Sequence, residues 1–192
     1  LLVGLFPQDQ LCWGIENRAG RDGFQCAMLT IFQYIEELAN QPMLEALRSR
    51  VDLRYAMHLP LNSPSFEPQL LCDFRKRLFL DPINLSIFQT LIDRLDKFGL
   101  FTQAKGQPVD ALQLLNTVCT VNRFDEVVEG MYRAIEALAV ASPEWLRQVA
   151  MPQWYDRYNR QRRYPLIPIS DPKWNARVVQ IGMDIHYLLG EI

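Results

Sequence analysis

Residues 47–78 read LRSRVDLRYAMHLPLNSPSFEPQLLCDFRKRL. The stretch parses as a helix end, a loop broken by Pro60 and Pro64, and a second helix with a basic tail. Phe66, Leu70, Leu71, Phe74 and Leu78 fall mostly at three- and four-residue steps, which predicts a helix over about 66–79 with one apolar side. Ser63 or Ser65 is the expected cap, with Pro64 or Glu67 just inside. This phase sets Phe66, Leu70, Phe74 and Leu78 inward and Arg75 and Arg77 outward. Two short helices around a tight loop are the raw material of a helix-turn-helix unit. In such a unit Arg48, Arg50, Arg54, Arg75, Lys76 and Arg77 would meet phosphates, because cations position a protein on duplex DNA. The competing account is a solvated helix face, the usual fate of a short charge run.

The helical period continues on both sides. Phe24, Ala27, Met28, Ile31, Tyr34, Ile35 and Leu38 predict a helix over 23–40. Pro42 suits the first turn of another over 42–50, and a short helical turn follows Val51. Asp81-Pro82 punctuates, residues 82–98 repeat the pattern, and Gly99 fits the position just past a helix end. Residues 100–110 look extended, with a turn at Lys105–Pro108. Helices are then expected over 111–120 and 124–140. Ser142-Pro143-Glu144 is a helix start, and a last helix runs over about 173–189. Residues 1–22 show no clear pattern. The expected fold is mainly α, a multi-helix bundle containing a helix-turn-helix-like unit.

Composition sets bounds on partners. The chain has 192 residues, is 49% hydrophobic and carries a formal net charge of −2. It can bury a core, and a DNA contact would need a local basic patch rather than a uniformly basic coat. No apolar run approaches the ~20 residues that cross a bilayer, so no membrane partner is expected, and no secretory signal is visible. Cys12, Cys26, Cys72 and Cys119 are scattered with no paired spacing, and His58 and His186 do not complete a zinc set. Reduced thiols in a cytoplasmic protein are the expectation.

A second basic cluster is RYNRQRR at 157–163, after Trp154 and Tyr155. Over 144–164, five arginines (Arg147, Arg157, Arg160, Arg162, Arg163) stand against Glu144 and Asp156, a net of +3. Arginines beside aromatics bind backbones and stack on bases. They also complement a helix C-terminus and cover apolar surface, and the two accounts weigh about evenly. Asp110 reads first as a cap for the helix after it. No carboxylate pair, phosphate-cradling loop or nucleophile elbow is present.

Taken in order, GRDGFQCAMLTIFQYIEELANQPMLEALRSRVDLRYAMHLPL (20–61), FEPQLLCDFRKRL (66–78), LFTQAKGQPVD (100–110), NRFDEVVEGMYRAIEALA (122–139), SPEWLR (142–147) and WYDRY (154–158) resemble the front half of bacterial insertion-sequence transposases of the DDE type, with their InsH-like N-terminal region. The resemblance implies a helical DNA-binding domain at 1–99, recognising terminal inverted repeats in double-stranded DNA. It implies the start of an incomplete RNase-H-like region, with a helical insertion, at 100–192. Its first strand would lead to Asp110 as the first of three metal-holding acids. The family follows that acid with small hydroxyl residues and a His, whereas here Ala111, Leu112 and Gln113 follow. The family's other two acids fall beyond position 192, so Mg²⁺ is expected only of a complete enzyme and this chain alone should not cut DNA. The resemblance implies a bacterial, nucleoid-associated location and leaves a homodimer open. A different class of function, a transposase-derived helical interaction or dimerisation module without a DNA role, is the alternative.

Overall fold

The computed structural model describes residues 23–60, 62–63, 66–101, 108–158 and 169–192. Every regular element among them is an α-helix. The chain forms two compact units that divide between Thr120 and Val121. The expected step at 99/100 was drawn on function; the compact units divide on packing.

The first unit contains α1 (Gly23–Glu36), α2 (Asn40–Ser49), α3 (Val51–Ala56), α4 (Pro68–Leu80), α5 (Pro82–Lys97) and the first turns of α6 (Ala111–Ala141). Helix α4 packs on α5, α1 and α2, so it lies at the centre of the unit's contacts. Met28, Ile31, Met43, Leu71, Phe74, Leu78, Phe88, Leu91, Leu114 and Leu115 are essentially inaccessible to solvent. The Phe74 and Phe88 rings meet edge to face at 6.4 Å. Each such side chain contributes about 1.5–3 kcal/mol by leaving water.

Local chemistry sets the helix ends. Asp81 caps α5 by accepting from Ile83 N at 2.9 Å. Three helices stop in the same way. The residue after the cap takes a left-handed backbone, and the next N–H reaches back five residues. Leu38 N donates to Gln33 O at 3.0 Å, Leu59 N to Arg54 O at 2.9 Å, and Leu100 N to Leu95 O at 3.2 Å. The left-handed residues are Glu37 (φ 52°), His58 (φ 50°) and Gly99 (φ 78°). Gly99 was expected there; Glu37 ends α1 four residues earlier than the period suggests. Gln89 tethers the start of α6 to α5, donating to Val109 O at 3.0 Å and accepting from Ala111 N at 2.6 Å.

The second unit holds the rest of α6, then α7 (Pro143–Val149), α8 (Pro152–Arg157) and α9 (Trp174–Glu191). Its core is Met131, Trp154, Tyr158 and Leu188, with Tyr132, Ile135, Leu138 and Ile185 packed against them. Helix α6 runs unbroken where two helices were expected. Nothing between positions 120 and 124 breaks a helix, and Val121 and Asn122 are buried. Among the described residues no helix is long and apolar enough to cross a membrane.

Candidate nucleic-acid interface

Helix α4 carries the basic run. It begins at Pro68 behind Glu67, which makes no side-chain cap, rather than at Ser63; Ser65 lies outside the described residues. Phe66, Phe74 and Leu78 are buried as the helical phase predicts, Leu70 is half-buried, and Arg77 is exposed. Arg75 is the correction. It was expected outside, but only 3% of its surface is accessible.

The reason is a polar cluster beneath α4. Arg75 Nη1 donates to Gln33 Oε1 at 2.9 Å, and Nη2 to Asn40 Oδ1 at 3.0 Å. Nη2 also lies 3.6 Å from Cys72 Sγ. Gln33 Nε2 donates to the same Asn40 Oδ1 at 3.0 Å, and Asn40 Nδ2 to Cys72 Sγ at 3.2 Å. One guanidinium therefore ties α4 to α1 and α2. No carboxylate among the described residues pairs with it. Its cation is solvated by amide oxygens, which suits the broad, weakly hydrated charge of arginine better than that of lysine.

The other cations divide into engaged and outward groups. Arg50 bridges Glu36 at 3.1 Å and Asp52 at 2.7 Å, and a second bond of 3.2 Å makes the Asp52 contact bidentate. Asp52 and then Glu36 raise the Arg50 pKa, and Arg50 lowers that of Asp52. Arg54 donates to Leu47 O at 2.9 Å and Pro60 O at 3.0 Å, holding the loop after α3. Arg48, Lys76 and Arg77 are exposed. Lys76 Nζ stands 4.0 Å from Asp73 Oδ1.

In the second unit Arg157 donates to Asp184 on α9. Tyr158 Oη donates to the same carboxylate at 2.7 Å, and Gln180 Nε2 to its other oxygen at 3.1 Å. Asp184 is 1% exposed. Burial alone would raise its pKa, but the donors from Tyr158, Arg157 and Gln180 outweigh burial and hold the carboxyl below its ordinary value. Trp154 Nε1 closes no hydrogen bond of normal geometry, yet it also favours the charged carboxylate. Burial first, and then Asp184, push Tyr158 above the ordinary phenol range. Arg157 is thus an intramolecular partner first. Arg160, Arg162 and Arg163 lie outside the described residues.

Asp110 is exposed and caps α6, its Oδ1 accepting from Gln113 N at 2.9 Å. Most of the strand expected over 100–110 lies outside the described residues; Leu100 and Phe101 form a turn, and residues 108–110 have no regular structure. No three His, Cys, Asp or Glu side chains among the described residues come together as a metal site. The described residues around Asp110 therefore do not fit a two-metal centre. Cys26, Cys72 and Cys119 are free thiols. The sequence reading missed Gln33, Asn40, Tyr158 and Asp184. Comparison of the chain with known protein families, with curated proteins and with solved structures finds no match.

Proposed function

We propose that the first unit binds duplex DNA, as the front part of a DDE-type transposase would bind the terminal inverted repeats of its element. The observation that carries this reading is the pair Lys76 and Arg77. Both stand exposed on α4, a helix whose opposite side is fixed to α1 and α2 by the buried Arg75 cluster. Rigid placement matters because phosphate contacts set register only when the donors are held in place. Arg48 on α2 adds a third exposed cation. On the same reading the protein works at the nucleoid, and residues 100–192 open an RNase-H-like region. Its metal chemistry, with Asp110 as first acid, needs ligands beyond those described.

Titration of a labelled duplex at rising salt tests it. Affinity should fall with salt, and Lys76→Ala with Arg77→Ala should reduce the magnitude of the log–log slope by up to about 2. A wild-type protein with no salt-dependent binding at low salt sinks the reading.

A second reading, an interaction or dimerisation module, is favoured by exposed apolar side chains. Val51 and Tyr55 on α3, and Leu80 and Ile83 where α4 meets α5, are 67%, 81%, 82% and 72% accessible. Apolar exposure of this kind marks partner surfaces when it is contiguous. Sedimentation at rising concentration separates the readings, because this module self-associates without DNA.

A further inference from the structure

We propose that α4 is the helix that enters the major groove, that Gln69 and Lys76 read base edges there, and that Asp73 is the residue that positions both. The inference rests on the DNA-binding reading and names the chemistry that reading leaves open. At about 3.6 residues per turn, Gln69, Asp73, Lys76 and Leu80 fall on one line along α4. That line is diametrically opposite the buried side formed by Leu71, Phe74, Arg75 and Leu78. All four residues of the line are exposed. The line is about 16 Å long at helical rise, and one helix fits a major groove about 12 Å wide.

The charge on α4 complements DNA. Pro68–Leu80 holds three cations against one carboxylate, a net of +2. Arg77 flanks the line and faces the groove wall, where a phosphate would stand. Gln69 offers the paired donor and acceptor that match adenine, and Lys76 donates to the acceptors of guanine.

Asp73 links the two. Gln69 Nε2 donates to Asp73 Oδ1 at 2.8 Å, and Lys76 Nζ lies 4.0 Å from that same oxygen. One carboxylate oxygen thus holds a residue one turn before it and another one turn after it. A carboxylate on a DNA-facing line opposes phosphates and weakens non-specific binding. Its benefit is fixed geometry for the two side chains beside it.

The test uses the full chain and a pool of duplexes with a randomised central segment. The protein selects a sequence, and affinity is then measured for the selected duplex and for a scrambled one. Gln69→Ala and Lys76→Ala should each lower the ratio of the two affinities roughly 10-fold. Asp73→Ala should lower the ratio about 5-fold, while affinity for the scrambled duplex holds or rises. Helix content by circular dichroism should match wild type, since all three side chains are exposed. If Asp73→Ala raises both affinities equally, the carboxylate only repels phosphates and the positioning role falls. If the wild type selects a sequence but neither Gln69→Ala nor Lys76→Ala changes the ratio, the inference fails and the DNA-binding reading stands. If the wild type binds no duplex, both fail.

Discussion

Arg75 Nη1 donates to Gln33 Oε1 at 2.9 Å across 42 positions of sequence, and neither residue is more than 3% exposed. The contact makes a residue from the middle of a basic run part of the core. It also separates two roles that sequence alone would merge. Arg75 orients α4, while Lys76 and Arg77 face outward from it.

Replacing Arg75 by Ala leaves Gln33 Oε1 buried without its donor and opens a cavity. Loss of one buried hydrogen-bond partner costs about 1–3 kcal/mol, and lost packing adds to it. Urea unfolding followed by far-ultraviolet circular dichroism should shift by about 2–3 kcal/mol. Arg75→Lys should recover less than half, because one ammonium cannot reproduce the guanidinium fork. Where Arg75→Ala is still folded, its salt slope for DNA should equal wild type. A loss below about 0.5 kcal/mol would show that the cluster contributes little to stability.

His58 holds a left-handed backbone at φ 50° to end α3, the place glycine takes after α5. A side chain there costs roughly 1 kcal/mol, partly offset by the extra freedom glycine has when unfolded. His58→Gly should therefore stabilise the protein by about 0.5 kcal/mol, and His58→Ala should not. Thermal melts of the two variants decide this, and a lower melting temperature for glycine refutes it.

Much of the helical framework was legible because it rests on local rules. The apolar period of α4 and α5, the Asp81 cap and the glycine after Lys97 and Phe98 are each decided within a few residues. The polar clusters were harder, because their partners are distant. Arg75 reads as one member of a charge run until Gln33 and Asn40, 42 and 35 positions away, are known to lie beneath it. A signal was nonetheless present. Leu71, Arg75 and Leu78 sit at steps of four and three, so the phase that buries the leucines also turns Arg75 inward. Asp184 breaks the same rule between Ile181 and Leu188, which are both buried. A polar residue on an apolar stripe is the mark of an internal partner.

Asp184 makes the second unit acid-sensitive. Its folded pKa lies below the ordinary carboxylate value, so the charged form favours folding. That stabilisation is fully present above the unfolded value, about 4, and is lost as pH falls through the lower folded value. Emission from Trp145, Trp154 and Trp174 should report loss of packing in this acid range. Asp184→Asn should cost about 2–3 kcal/mol at neutral pH, since it strips the charge that holds Arg157 and Tyr158. It should also flatten the acid dependence below about pH 4. An unchanged acid profile in Asp184→Asn would assign the transition to other carboxylates.

Asp110 separates capping from metal chemistry. Its Oδ1 accepts from Gln113 N at 2.9 Å, which is what a helix cap requires. Asparagine serves equally well at that position, while alanine forfeits about 1 kcal/mol. A metal ligand behaves differently, because asparagine removes the charge that holds the ion. Mg²⁺ keeps its waters unless several oxygens converge, and a lone carboxylate binds it weakly. The protein with Mg²⁺ or Mn²⁺ should therefore neither nick nor join a supercoiled plasmid. Asp110→Asn should match wild type in stability and DNA affinity, and Asp110→Ala should lose only stability. Metal-dependent nicking that disappears in Asp110→Asn would overturn this. It would mean that further acids of this chain, outside the described residues, converge on Asp110.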